Sequence, residues 1–343
     1  MPDRPLPVVR RVDSRWSTRD RLGRLLCRLS NRFRMRYRVD PGLYALGEPD
    51  AGSPVLVTAN YKLSFDLLRR GAGGMATWIL VLDTRGINVW CAAGKGTFGT
   101  DELVRTINAT GLAEVVDHRR LVLPQLGAPG VQANRVLQET GFRAAFGPVR
   151  AADVSEYLRA GGRATPAMRT VRFPMTDRLA LTPMELIPAL RYYPVYLAML
   201  AAALGVSSRW IAWSRLLDPG LPYAAMGLAA LLAGTVLGPL LLPWIPFRSF
   251  ALKGWLLGLA VTVPLVWLDL QRWSQDPILT AFALLLFPAA SSALLLGFTG
   301  STPFTGLSGV KKELRFALPA YLSAAGVSII LLVCYTITNW RSS

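Results

Sequence analysis

Residues 54–82 read PVLVTANYKLSFDLLRRGAGGMATWILVL, and this stretch decides the fold of the first half of the chain. The runs PVLVTA (54–59) and ATWILVL (76–82) are short, apolar and rich in Val, Leu and Ile, the length of buried strands rather than helices. Between them, residues 64–70 (SFDLLRR) read as a helix with Ser64 as its N-cap. The alternation continues as helix 100–110, strand 113–116, helix 131–140, strand 142–146, helix 152–160 and strand 170–173. Strands and helices in turn predict an α/β domain over residues 51–180, a parallel sheet flanked by helices. Ligands of such sheets sit beyond the carboxyl ends of the strands. The predicted edge loops are residues 58–62, 83–99, 118–130 and 147–149.

Downstream the character changes. The chain is 52% hydrophobic, above a soluble average, and the excess lies after Leu186. Five apolar stretches, about 186–206, 221–245, 250–268, 278–298 and 316–338, each approach the ~20 residues that cross hydrocarbon as a helix. Trp244, Trp255, Trp267 and Trp340 fall near their ends, as interfacial aromatics do. Residues 181–343 therefore read as an all-α, five-helix transmembrane domain. Arg248, Lys253, Lys311, Lys312 and Arg315 fall in alternate connections, and Arg209, Arg215 and Arg272 in the others. That bias predicts a cytoplasmic membrane protein with the α/β domain inside. The connection 299–315, TGSTPFTGLSGVKKELR, reads as a long polar loop on the same side as that domain.

Residues 1–50 form a basic arm, and its densest part, 10–38, carries much of the net charge of +17. Leu22, Leu25, Leu26 and Leu29 recur among arginines there at helical spacing, so a short amphipathic helix is predicted. In a chain that enters a membrane, anionic lipid accounts for that charge better than nucleic acid does. Cys27, Cys91 and Cys334 are too far apart to form a disulfide framework, which suits a reducing compartment. No apolar h-region follows the arginine-rich start, so no signal peptide is expected.

The segment NVWCAAGKG (88–96) lies between a predicted strand and a predicted helix, and it holds the chemistry. It fails the phosphate-loop pattern, because Gly94-Lys95 is followed by Gly96 and the position five before Gly94 is Val89. GKGTFG (94–99) matches the letters of a dinucleotide fingerprint, but it follows its strand at a distance and only Asp117 offers an acidic partner. Cys91 has no Cys or His neighbour and His118 is the sole histidine, so a tetrahedral zinc site is not supported. A cysteine at this edge is a nucleophile, an axial ligand to a cofactor metal, or a small buried apolar residue.

NVWCAAGK resembles the signature of the mercury-methylating corrinoid proteins of anaerobic microbes. VTANYKLSFD (57–66), LVLPQLGAPGV (121–131), FGPV (146–149), the five apolar stretches and STPFTG extend the resemblance over most of the chain. It implies a Rossmann-like corrinoid-binding domain, related to the large subunit of the corrinoid iron–sulfur protein. It implies a cobalamin-type cofactor and Cys91 as lower axial ligand of its cobalt. Asn88, Val89, Trp90, Ala92, Ala93, Gly94 and Lys95 would surround that ligand. Thr58, Asn60, Leu123, Pro124, Gln125, Ala128, Gly130, Gly147, Pro148 and Val149 would hold the upper face and edges of the ring. Asp117-His118 are adjacent and do not form the D-x-H-x-x-G ligand motif of other B12 domains, so His118 reads as structural.

The resemblance further implies methyl transfer to Hg(II), a methyltetrahydrofolate-type donor and a ferredoxin-like iron–sulfur partner. A soft thiolate suits transfer of a methyl group with its bonding electrons to an electrophile. It also makes reduction of cobalt harder, which calls for a low-potential donor. Cys27 and Cys334 belong to no cysteine cluster and read as inert. Two other readings stay open at this point: a membrane corrinoid carrier with a different acceptor, and a nucleotide-binding membrane transporter or scaffold.

Overall fold

A computed structural model of the chain describes residues 9–205, 213–268 and 276–340. Arg209, Asp269 and Arg272, and the side chains of Arg215 and Trp340, lie outside the described residues. The chain divides into two units, Met1–Arg172 and Phe173–Ser343.

The first unit is built on a six-stranded sheet of order β1-β2-β4-β3-β5-β6. The strands are β1 (Val9–Val12), β2 (Gly42–Leu46), β3 (Val55–Ala59), β4 (Thr77–Leu82), β5 (Arg120–Leu123) and β6 (Arg143–Phe146). In β3 and β4 every residue is buried, as strands covered on both faces must be. They pair in parallel from Val55–Trp78 to Ala59–Leu82, and β5 and β6 extend the parallel core. The sheet as a whole is mixed, because β2 runs antiparallel to β4 and β1 lies parallel to β2 at the edge. Both of these strands fall within the stretch read as a basic arm, where arginines in VRRV hide the strand period.

The helices of this unit are α1 (Thr18–Leu29), α2 (Asn31–Arg36), α3 (Lys62–Gly71), α4 (Val89–Gly94), α5 (Thr100–Ala109), α6 (Leu112–Val115), α7 (Ala133–Thr140), α8 (Val154–Arg159) and α9 (Pro166–Arg169). Val55, Val57, Leu80, Leu121 and Leu123 pack on one face of the sheet with Leu103, Ile107 and Val136 from α5 and α7. Leu56, Ile79 and Val81 pack on the other with Phe65, Leu68 and Val154 from α3 and α8.

Three local expectations are corrected. Residues 113–116 are not a strand: Gly111 turns the chain with φ 58° into α6, and the C-cap Val116, buried like Leu112, returns its N–H to the Leu112 carbonyl. The strand comes later, at Arg120–Leu123. Ser64 caps nothing, because α3 already starts at Lys62. Residues 170–173 form no strand; α9 ends just before them, and Thr170 returns its hydroxyl to the Pro166 carbonyl at 2.8 Å.

The basic arm is clamped to the unit. Ser17 and Asp20 form a capping box at the start of α1. Asp20 and Asp66 then share Lys62 and Arg69 in a nearly buried four-residue network with N–O distances of 2.7–2.8 Å. Burial opposes ionisation of Asp20, but hydrogen bonds from Lys62, Ser17 and Arg69 outweigh it and hold its carboxyl well below the usual range. Gly23 lets α1 approach the Tyr37 ring, against which any Cβ would collide.

Among the described residues, the second unit holds five helices long and apolar enough to cross a membrane: Met175–Gly205, Gly220–Leu241, Phe250–Leu268, Pro277–Ser301 and Ser308–Asn339. The fourth is the central one, half buried against 6% for the first. It meets the third through small residues, since a Cβ on Gly254 would lie 2.5 Å from Ser292 Cα. Trp244 and Trp267 are exposed, and Trp255 is half-buried. The predicted loop 299–315 is mostly helix: a 3-10 turn runs to Ser301 and a helix starts at Leu307, leaving residues 302–306 between them. Lys, Glu, Leu and Arg in VKKELR are good helix formers, and they continue the fifth apolar helix at its start.

Candidate functional site

The carboxyl edge of β3 and β4 is organised by Asn60. Its Oδ1 accepts from the backbone N–H groups of Thr84 (3.1 Å) and Gly86 (2.8 Å), and its Nδ2 donates to Asp83 Oδ1 (2.9 Å). Asp83 Oδ1 also accepts from Arg85 N, and the Thr84 hydroxyl donates to the Ile87 carbonyl at 2.6 Å. These bonds fix a turn in which Arg85 and Gly86 both take positive φ, 59° and 76°. A non-glycine residue in that region is strained and persists only where its surroundings over-determine it. Asn60, read from the sequence as a ring contact, is 2% exposed and acts here as a brace for the loop ahead of α4.

That loop delivers Asn88 as N-cap of α4, with its Oδ1 accepting from Cys91 N at 2.9 Å. Val89, Ala92 and Ala93, at i, i+3 and i+4, turn into the core. Cys91 is therefore left half-buried, Trp90 is 41% exposed, and Gly94 and Lys95 are exposed. The helix starts two residues before Cys91, so the cysteine's own N–H is taken by the cap. Past the helix, the N–H groups of Thr97 and Phe98 both turn back to the Ala92 carbonyl, at 3.0 and 3.1 Å, and Phe98 is fully buried.

The loop after β5 packs on this element. Residues Gln125–Gly130 form a 3-10 turn. A Cβ on Gly130 would collide with the Phe98 carbonyl oxygen and lie 3.2 Å from Ala93 Cα, so the backbones meet directly there. Gln125 Oε1 is buried with no hydrogen-bond partner among the described residues. Gly147 N donates to Leu123 O (2.8 Å) and Val149 N to Met168 O (2.8 Å), which seats residues 147–149 beside that turn.

A cleft of about 290 Å³ opens here, lined by Thr58, Asn88, Val89, Trp90, Leu123, Pro124, Pro148 and Val149 among others. Cys91, Gly94, Lys95, Gln125, Ala128 and Gly130 do not line the cleft; Gly130 packs on the α4 element, and Gly94 and Lys95 stand at its exposed end. The cleft also takes Leu126, and Ser64 and Leu67 of α3, Ala151 and Val154, of which the last four were not selected from the sequence. No local sequence pattern marks Ser64 or Leu67 as lining, since both sit on a helix whose start was read two residues late. Once β5 is placed at Arg120–Leu123, His118 lies before that strand, at the opposite edge of the sheet. Its ring is engaged by Ser53 O (2.9 Å) and Arg120 N (3.2 Å).

These elements define an α/β unit whose candidate site is a cysteine-bearing helix at the carboxyl edge of a sheet. A family model described as the CO dehydrogenase/acetyl-CoA synthase delta subunit matches residues 30–158, which hold all of that edge. The chain is 32% identical over 123 residues to the acetyl-CoA decarbonylase/synthase complex subunit gamma of Methanocaldococcus jannaschii, covering 35% of this chain and 25% of the relative. It is 33% identical over 129 residues to the same subunit of Methanopyrus kandleri, covering 36% and 27%. For the Archaeoglobus fulgidus subunit the figures are 32% over 123 residues, covering 35% and 26%. The chain thus spans about a quarter of the length of these curated relatives, and the family match stops before the apolar helices.

Proposed function

We propose that the first unit binds a corrinoid over α4 and that the protein is a membrane-anchored methyltransferase using Hg(II) as methyl acceptor. The observation that carries this reading is the placement of Cys91, half-buried on a capped helix, in a stretch matched by a family of carbon-monoxide and acetyl-CoA chemistry. The residues present suit a flat, largely apolar ligand with a polar rim. Gly94 and Gly96 have no heavy atom within 4 Å of a built Cβ, and the exposed Trp90 offers an apolar surface beside them.

In this reading the Cys91 sulfur would hold the cobalt, and Asn88 caps the helix turn that carries it. Asn60 holds the preceding loop, while Thr58, Pro124, Pro148 and Val149 bound the cleft. When bound, the corrinoid would supply a methyl group for transfer, with its bonding electrons, to Hg(II) as substrate. A thiolate donor favours that polarity of transfer. A methyltetrahydrofolate-type donor and a ferredoxin-like iron–sulfur protein would reload the site, and the α/β unit faces the cytoplasm.

The test is the visible spectrum of the full-length protein loaded with methylcobalamin, beside Cys91→Ala. A thiolate-type shift in the wild type that disappears in a variant still able to bind corrinoid supports the assignment. Identical spectra remove Cys91 from cobalt. No corrinoid uptake by the wild type refutes the reading and leaves the nucleotide-binding membrane protein.

A further inference from the structure

Helix α1 carries its leucines on the wrong side for packing. Its inward face is Asp20, Gly23 and Cys27, which meet Lys62, Tyr37 and Tyr61. At 100° per residue, Leu22, Leu25 and Leu29 lie within about 60° of one another on the opposite face. They are 54%, 52% and 37% exposed, and Met35 on α2 is 51% exposed. A leucine stripe at i, i+3 and i+7 normally faces a core. Here the only acidic residue between Thr18 and Arg36 is Asp20, and it is spent in the inward network with Lys62 and Arg69. Arg19, Arg21, Arg32 and Arg36 are exposed, so the outward surface is apolar and purely cationic.

We propose that α1 and α2 form an interfacial foot that seats Leu22, Leu25 and Leu29 in the headgroup boundary of an anionic bilayer, with arginines on lipid phosphates. Two observations select this occupant. The charge is complementary to anionic headgroups and the leucine row to the acyl boundary, the pairing that interfacial helices use. A nucleic-acid backbone would take the arginines but has no use for exposed leucines. The same chain carries five helices apolar enough to span a membrane, so a bilayer is at hand. The proposal does not depend on the corrinoid reading.

The test uses full-length protein in nanodiscs of phosphatidylcholine, with or without phosphatidylglycerol at about a third of the lipid. Hydrogen exchange is followed in residues 18–36. Amides of α1 are expected to exchange on the order of tenfold more slowly on the anionic discs. That difference should vanish in a Leu22→Ser, Leu25→Ser, Leu29→Ser variant and in an Arg19→Gln, Arg21→Gln, Arg32→Gln variant. Unchanged exchange in β3 and β4 shows that each variant is folded. Salt near 1 M, where the Debye length is about 3 Å, should remove most of the wild-type difference without any substitution. Equal exchange on both lipids, or protection that only an added protein or RNA produces, overturns the proposal.

Discussion

Helices α1 and α4 each carry a cysteine, and the two are placed in opposite ways. Cys27 is 2% exposed, bonded to Tyr61, and its thiol is pushed up by burial, so it stays protonated and unreactive. Cys91 is half-buried, one turn from an Asn88 cap, with Ala92 and Ala93 turned inward beside it. In α1 the cysteine shares the packed face, and the leucines are left outside. In α4 the small apolar residues fill the packed face, and the cysteine is left at the rim. Which side of a short helix is buried thus separates a structural thiol from a candidate metal ligand, although both sequences, RLLCRL and NVWCAAG, put the cysteine among apolar residues.

The largest expected effect tests that contrast directly. Cys91→Ala should lower Hg(II) methylation by at least the order of a hundredfold, more than losing an outer-shell partner of a metal ligand usually costs. A Cys27→Ala, Cys334→Ala double variant should retain activity. Equal losses in both proteins would erase the distinction.

Next in size is the network that holds α1 in place. Asp66→Ala leaves Lys62 and Arg69 without a partner that is 2% exposed, and removing one member of a buried ion pair costs about 3–5 kcal/mol. Pulse proteolysis of full-length protein across a urea series would read this as an early cut near α1. A change within about 0.5 kcal/mol would mean that the clamp is incidental.

Asn88→Ala is a smaller perturbation. It removes the cap on Cys91 N and should cost about 1 kcal/mol locally. If the cap also aims the sulfur, corrinoid affinity should fall on the order of tenfold. An unchanged corrinoid titration would show that the rest of the loop suffices.

The two central strands could be read because burial on both faces forces unbroken Val, Ile and Leu runs, as in VLVTA and TWILVL, and the five apolar helices because each holds a run of about 20 apolar residues. The edge strand VRRV could not be read that way, because its two central arginines point to exposed positions. AEVV misled because a single turn of helix with Leu112 and Val116 buried looks like a strand end. The candidate site segment was singled out through NVWCAAGK. The bracing role of Asn60 was not, since it arises from a hydrogen-bond set spanning residues 60–86 that no local pattern encodes.

The smallest effect concerns pH. Asp20 is ionised well below the ordinary carboxylate range because of Lys62, Ser17 and Arg69, despite the opposing cost of burial. A carboxylate with a depressed folded pKa contributes stability that is complete above its unfolded pKa and is lost as the pH falls through the folded one. The stability difference between wild type and Asp20→Asn should therefore be flat from neutral pH down to about 5 and shrink below about 4. Alkylation of Cys27 reports the same event, since release of α1 uncovers that thiol while Cys91 is already half-exposed. A difference that stays constant to about pH 2.5 would show that ionisation of Asp20 contributes little to keeping Cys27 covered, whether through its ion pairs to α3 or through the bonds its carboxylate accepts from Ser17.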